Sequence, residues 1–371
     1  MIITSRTENL WEQRKLGEIG KIRSCKRIYR NQTSSKGEIP FYKIGTFGKE
    51  ADSFISRKLY EEYKERFSFP QVGDILISAS GTLGRTVVYN GENAYFQDSN
   101  IVWIDNDNHL ALNKYLEIYY QRIHWKASEG STIKRLYNSD IEGTIISIPK
   151  RDEQAKLSKC LKLLNKVITL YEMKKQLLAQ LKQGIVNFLI TKNGQKPQLR
   201  FSGFNNDWES KSFEKLLNYE QPTKYIVKKA DYISQGTPVL TANKSFILGY
   251  TNETNVYQNI PAIIFDDFTL ESKYVDFPFM VKSSAIKILT SKNSNLFFIY
   301  QLLNNQKFVQ EGHSRHYISV VQKKKVLVPS IQEQNKIGNL IKQLENNIEQ
   351  NSDTIALLKS LKEFLLQNMF L

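Results

Sequence analysis

Cysteine is almost absent. Cys25 and Cys160 are the only two in 371 residues and lie far apart, which excludes a disulfide framework and a cysteine-based zinc cluster. Long apolar runs are missing as well: none approaches the roughly 18 residues needed to cross a bilayer. The opening MIITSRTENL lacks the apolar stretch of a secretion signal, so a cytoplasmic location is expected. Three catalytic signatures are not found: the Asn-Pro-Pro-aromatic string of amino methyltransferases, the GxGxxG of dinucleotide-binding folds, and the GxxxxGK(S/T) phosphate loop. GTFGKE (Gly45 to Glu50) does not have the spacing of the last. Acid is scarce relative to base, with 37 Asp and Glu against 52 Lys and Arg. The net charge of +15 favours a polyanionic partner.

What is present is an apolar content of 41%, enough for two or three packed domains in a chain of this length. The basic residues are not evenly spread. KIRSCKRIYR (Lys21 to Arg30) holds five of them with no acid and with Tyr29 interleaved, a composition suited to a phosphate backbone.

The sequence also repeats itself. NLWEQRKLGEI (Asn9 to Ile19) returns as NDWESKSFEKLL (Asn206 to Leu217), with Trp11-Glu12 and Trp208-Glu209 at an offset of 197. A longer match runs at an offset of 180, where ISIPKRDEQAKL (Ile146 to Leu157) faces VLVPSIQEQNKI (Val326 to Ile337). After each proline comes helical spacing. Leu157, Leu161, Leu164, Ile168, Tyr171, Leu178, Leu181, Ile185 and Phe188 form one stripe; Ile337, Ile341, Leu344, Ile348, Ile355, Leu358, Leu361 and Leu365 form the other. Proline starts a helix but does not continue one, so the helices begin just after Pro149 and Pro329, and Ser330 to Glu333 reads as a capping box. About 40 residues at about 1.5 Å each make rods of about 60 Å, and two rods with matching stripes are expected to pack together.

Upstream of each rod lie strand-like runs: PFYKIG, GDILISAS, RTVVY, NIVWI and TIISI in the first region; TPVLTA, PAIIF, SAIKIL and KVLV in the second. Each region also has one helical stretch, NKYLEIYYQRI or NLFFIYQLL. The expected architecture is α+β, with two globular α/β domains related by a pseudo-twofold duplication and joined by two long antiparallel coiled-coil helices. The expected divisions are residues 1–149, a helix over 150–190, a linker over 191–207, residues 208–329, and a helix over 330–371. Candidates for DNA contact in the first domain are Arg27, Tyr29, Arg30, Lys49, Arg85, Lys134, Arg135 and Tyr137. In the second they are Lys224, Lys228, Lys244, Tyr250, Lys273, Arg315, His316 and Tyr317.

Two patterns point elsewhere. His313 and His316 have HxxH spacing, but no cysteine or acid cluster lies nearby in sequence, and no metal is expected. Asp266 or Asp267 with Glu271-Ser272-Lys273 is similar to the acid, acid-x-Lys set by which nucleases hold Mg²⁺. Glu-x-Lys recurs at Glu172-Met173-Lys174 and Glu209-Ser210-Lys211, so the pattern is common in this composition.

Taken together, WEQRKL and WESKSF, LRFSGF before the second Trp-Glu, GDILISASGTLGRTVV, EGSTIK, and IPxxxEQxK leading into a long helix resemble the specificity subunit of type I restriction–modification enzymes. The resemblance spans nearly the whole chain, including its duplication. PAIIFDDFTLESK and EGHSRHYIS depart from it in the second domain. It implies a non-catalytic subunit whose two target-recognition domains each read one part of a split, asymmetric sequence in double-stranded DNA. The rods would act as a ruler, setting the two parts about one helical turn, about 34 Å, apart. They would also dock two methyltransferase subunits, which bind S-adenosylmethionine, with ATP- and Mg²⁺-dependent restriction subunits as further partners. This chain would hold no cofactor itself. Two other readings stay open: a stand-alone Mg²⁺-dependent nuclease using Asp267, Glu271 and Lys273, and a protein–protein scaffold without DNA contact.

Overall fold

The computed structural model describes residues 11–125, 135–192, 195–229, 231–243, 245–308 and 315–369. The chain divides into two compact units, Met1–Leu170 with Ile355–Leu371, and Tyr171–Thr354. The division falls inside both long helices, so each unit holds the first part of one helix and the last part of the other.

Unit 1 opens with β1 (Glu12–Lys15), α1 (Leu16–Ile19), β2 (Gly20–Arg23), β3 (Ile39–Tyr42) and β4 (Phe54–Ile55). Then come α2 (Arg57–Arg66), β5 (Ile75–Ser78), β6 (Thr86–Val88), β7 (Tyr95–Phe96) and β8 (Ile101–Asn106). It ends with α3 (Asn113–Tyr119), α4 (Asn138–Glu142), β9 (Ile145–Ile148) and the start of α5 (Arg151–Leu189). The strands make a four-stranded sheet ordered β2-β8-β5-β6, a three-stranded sheet β4-β3-β7, and the ribbon β1-β9. In β5 and β8 nearly every side chain is buried, as expected of central strands covered on both faces.

Unit 2 carries β10 (Glu209–Ser212), α6 (Phe213–Leu216), β11 (Asn218–Glu220), β12 (Thr237–Leu240) and β13 (Ile247–Thr251). These lead to β14 (Ala262–Asp266), β15 (Ser272–Val275), β16 (Met280–Val281), β17 (Ile286–Thr290) and α7 (Leu296–Asn304). A π-helical turn at Tyr317–Val321 precedes β18 (Lys325–Val328) and α8 (Ile331–Asn368). Its sheets are ordered β11-β17-β14-β15, β13-β12-β16 and β10-β18. Strand for strand this is the order of unit 1, down to the parallel pairing of β3 with β7 and of β12 with β16. The Trp-Glu segments that look like two beginnings are strands, each closing antiparallel on the last strand of its own unit: Glu12 faces Ile148 and Glu209 faces Val328.

The helix starts are bolted by one side chain that sequence spacing does not explain. Gln154 Nε2 donates to Pro149 O (2.9 Å) while its Oε1 accepts from Leu112 N at the head of α3 (2.8 Å). Gln334 repeats this in unit 2, donating to Pro329 O (2.9 Å) and accepting from Asn295 N at the head of α7 (3.0 Å). Both glutamines are buried, so each hydrogen bond replaces water that cannot reach the site.

Within each unit the helix pieces run antiparallel. Leu157, Leu161 and Leu164 pack in one core with Leu365, Leu366 and Met369 in unit 1; Val186, Leu189 and Ile190 share a core with Ile337 and Ile341 in unit 2. Lys182 and Glu345 form an ion pair in the same seam of unit 2, and Gln301 Nε2 joins Glu345 Oε1 at 3.1 Å. Ile168 and Leu344 are buried, and Leu178, Ile348 and Leu358 are half-buried. Leu181, Phe188 and Leu361 correct the expected stripe, since they are 52%, 44% and 44% exposed. After Leu178 the packed face continues through Lys182, Ile185, Val186 and Leu189. After Leu358 it takes the equivalent path through Lys362, Leu365, Leu366 and Met369. A lysine there keeps its alkyl stem on the seam, and burial pushes the Lys362 ammonium below its usual range.

Candidate nucleic-acid interface

In unit 1 the loops at one end of the four-stranded sheet converge on the segment Asp98–Asn100. Arg27 Nε meets Asp98 Oδ2 at 2.9 Å, Arg135 Nη2 donates to Ser99 O at 2.8 Å, and Ser80 Oγ donates to Asn100 Oδ1 at 2.9 Å. The turn after β5 is held from below: Ser78 Oγ accepts from Arg85 N (2.8 Å), and Arg85 Nη1 reaches across to Phe47 O (3.0 Å). Gly84, at φ +72, lies against the ring of Trp125, where an added Cβ would sit only 2.0 Å from Cδ1; the GTLGR string needs its glycine for that approach. The fold therefore brings Arg27, Arg85, Arg135 and, beside Arg85 on the turn Thr46–Lys49, Lys49 onto one rim. Tyr29 and Arg30 are exposed at the 3-10 turn Arg30–Gln32, and Tyr137 is exposed at the start of α4. Lys134 lies outside the described residues.

Unit 2 builds its loops differently. The turn after β14, equivalent by strand order to the one after β5, is an Asx turn in which Asp266 Oδ1 accepts from Phe268 N and Thr269 N, both at 2.9 Å. Asp267, 2% exposed, points inward instead of towards solvent. Its Oδ1 accepts from Tyr317 N (2.7 Å) and its Oδ2 pairs with Lys287 Nζ (3.3 Å). Lys287, 1% exposed, also donates to Gln221 Oε1 (3.1 Å) and Ser284 O (3.2 Å). A carboxylate saturated in this way is structural. Among the described residues no three His, Cys, Asp or Glu side chains are grouped to hold a metal, and Asp267 of the acid, acid-x-Lys set faces the core against Lys287.

The same pairing overturns two candidate contacts. Tyr317 is 0% exposed, its ring centroid 5.5 Å from that of Tyr219 and 5.4 Å from that of Phe265, and burial pushes its phenol pKa up. His316 is 1% exposed, with its backbone N–H donating to Asp267 O (3.2 Å). Neither presents a face to a duplex; their polar spelling hid an aromatic core position. His313 and Lys244 lie outside the described residues.

The other candidates sit at the surface. Lys224 is exposed in the turn Pro222–Tyr225, and Arg315 is exposed beside the Asp267 segment. Lys228 is exposed where its N–H meets Glu253 Oε1 (2.9 Å), and the half-buried Tyr250 in β13 bridges to Ile233. Lys273 is half-buried in β15, opposite Ile264. Sequence reasoning missed Phe268, exposed at the tip of the Asx turn, and the Lys282 Nζ to Tyr232 OH pair (3.1 Å). The signal was available for Phe268, an aromatic residue flanked by polar turn formers.

A second surface lies on the long helices. Leu163, Val167, Leu170, Met173, Leu177 and Leu181 follow three- and four-residue steps along α5 and are all exposed, as are Leu357, Leu361 and Phe364 on α8. These apolar side chains stand exposed at helical spacing along each helix.

Fold and surface together define a duplicated chain of two like units with basic, aromatic-bearing loops and long helices. A sequence model described as the type I restriction modification DNA specificity domain matches residues 8–183 and again 205–360, and the chain belongs to that family. A Haemophilus influenzae protein named as a type I restriction enzyme specificity subunit, S.HindORF215P, is 60% identical over 142 residues, 38% of this chain and 37% of that protein. The Escherichia coli EcoR124I/EcoR124II specificity subunit is 50% identical over 123 residues, 31% of this chain and 30% of that protein. The matched segments thus span about a third of these relatives. Over the whole chain, the fold is that of the type I restriction–modification S subunit from M. genitalium, with a TM-score of 0.68 at 15% identity and coverage of 100% and 98%. A chain from a structure on assembly and conformational transition of the type I restriction–modification system aligns with a TM-score of 0.53 at 12% identity, covering 98% of each. No helix among the described residues is long and apolar enough to cross a membrane.

Proposed function

We propose that this chain is the non-catalytic specificity subunit of a type I restriction–modification complex, reading a two-part asymmetric sequence in double-stranded DNA with one unit on each part. The observation that carries this is one strand order bearing two unrelated sets of loops: a glycine turn with Arg85 after β5, an Asx turn with Phe268 after β14. A shared frame with divergent loops suits two readings of two different sequences. Exposed arginines and lysines such as Arg30, Lys49, Lys224 and Arg315 would take phosphates, while turn residues and Tyr137 reach base edges. The exposed stripes of α5 and α8 fit helices of two methyltransferase subunits. S-adenosylmethionine belongs to those partners, ATP and Mg²⁺ to a restriction subunit, and this chain supplies position only.

The test is a genome-wide map of methylated adenines with the gene present, deleted, or altered at the turn Phe268–Glu271. A split motif that vanishes on deletion, with only one part changed by the turn variant, is expected. An unsplit motif, or one unaffected by deletion, overturns the reading.

A further inference from the structure

At one end of the four-stranded sheet of unit 2, β11 leaves at Glu220, β14 leaves at Asp266, and β15 and β17 enter at Ser272 and Ile286. The segments there reach the surface separately: Lys224 is exposed in the turn Pro222–Tyr225, Phe268 in the turn after β14, and Arg315 just before the π-helical turn. Beneath the surface they meet on one buried ion pair. Lys287 Nζ joins Asp267 Oδ2 (3.3 Å), Gln221 Oε1 (3.1 Å) and Ser284 O (3.2 Å), which engages all the N–H donors of an ammonium. It thereby ties the Asx turn to the residue heading Pro222–Tyr225 and to the segment entering β17. Asp267 adds the segment after Arg315, its Oδ1 accepting from Tyr317 N (2.7 Å) and its backbone O from His316 N (3.2 Å).

The turn itself needs such support. Leu270 holds φ +62, a left-handed value that costs a residue with a branched side chain conformational energy, so the shape of the turn persists because its surroundings hold it. Unit 1 holds the corresponding turn from outside, through Arg85 Nη1 to Phe47 O, over an apolar register where Ile77 faces Val102. Unit 2 holds its turn from inside.

We infer that the Lys287–Asp267 pair is the positioning element of unit 2, setting Phe268, Arg315 and Lys224 in one geometry and so deciding which bases that unit accepts. Both residues are buried and act through the segments they hold. A pair that served stability alone would be replaceable by apolar side chains of similar volume, as the same register of unit 1 illustrates. A pair that positions is not replaceable in this way. Met and Leu fill the space, but they hold neither Gln221 Oε1, Ser284 O nor Tyr317 N. The inference rests on unit 2 reading one part of a split DNA sequence, and it names the residues on which that part depends.

The test is competition binding of the chain, assembled with its methyltransferase subunits, to duplexes that carry the mapped motif or a single-base change in one of its two parts. The part belonging to unit 2 is the one that the Phe268–Glu271 variant alters. With Lys287→Met and Asp267→Leu combined, discrimination against changes in that part should fall by at least about tenfold, while discrimination in the other part stays within about twofold. Asp267→Asn, nearly isosteric, should shift the same part in the same direction by a smaller factor. Should the double variant fail to fold or assemble, Asp267→Asn decides by the same criterion. Unchanged discrimination in a folded, assembled variant overturns the inference and leaves the DNA reading intact. Equal losses in both parts, or a uniform loss of affinity for every duplex, also overturn it, because the pair then acts on the whole chain. A wild-type complex that discriminates in no split motif overturns the reading itself, and the inference with it.

Discussion

At one register of the central sheet the two units make opposite choices. Ile77 faces Val102 in unit 1, both in a hydrophobic core, whereas Phe265 faces Lys287 in unit 2, where the ammonium is buried against Asp267. The strand order tolerates either solution, because a sheet is specified by backbone pairing and needs only that each buried position be apolar or fully paired. The difference follows from the loop. Once the turn after β14 carries Asp-Asp, the inward carboxylate requires a cation, and the neighbouring strand supplies it. Divergent loops therefore reach into the frame, and the units are alike in topology more than in chemistry.

The comparison is tested most severely by removing the cation. Lys287→Met strands a buried carboxylate and should cost about 3–5 kcal/mol in denaturant unfolding, with much of that recovered by adding Asp267→Leu. If Lys287→Met costs no more than an ordinary surface change, the buried pair is not structural. Next in size is the helix seam, where Leu161, fully buried, sets the expectation that Leu161→Ala costs about 2–5 kcal/mol. The two glutamine bolts provide an internal control: Gln154→Ala and Gln334→Ala should each cost about 1–3 kcal/mol, and by similar amounts. Unequal losses would show that the two helix starts are not equivalent frames.

Surface changes sharpen the contrast between loops and frame. In the assembled complex, Arg30→Ala and Lys49→Ala should each lower the slope of log affinity against log salt by about one, while Tyr317→Phe leaves it unchanged. A slope that responds to Tyr317→Phe and not to the basic residues would put the interface elsewhere. Smallest on stability is Leu181→Ala, expected within about 0.5 kcal/mol, yet it should weaken methyltransferase assembly measured by size-exclusion chromatography.

Much of the frame was legible in advance. The runs GDILISAS, NIVWI, PAIIF and SAIKIL are central strands, and the helices begin beyond Pro149 and Pro329. Short strands such as β4, β7 and β16 were not legible, because two residues carry no period. The surface candidates were partly legible, since basic residues on loops mostly remain at the surface. His316 and Tyr317 were misread because local polarity does not report what a neighbouring element lays over a residue.

The sequence by itself determined the duplication, the phase shared by the two long helices and the order of elements, because periodicity and turn chemistry act over a few residues and are written locally. Only the tertiary structure decided which side of each helix is covered. Leu178 and Leu181 both satisfy helical spacing, and Lys182 lies in the seam because the opposing helix presents Glu345 there. It likewise decided that Asp267 answers to Lys287, 20 positions away, and that Glu333 answers to Arg200 while Glu153 does not have such a partner among the described residues. Burial and pairing belong to the neighbour that folding brings up.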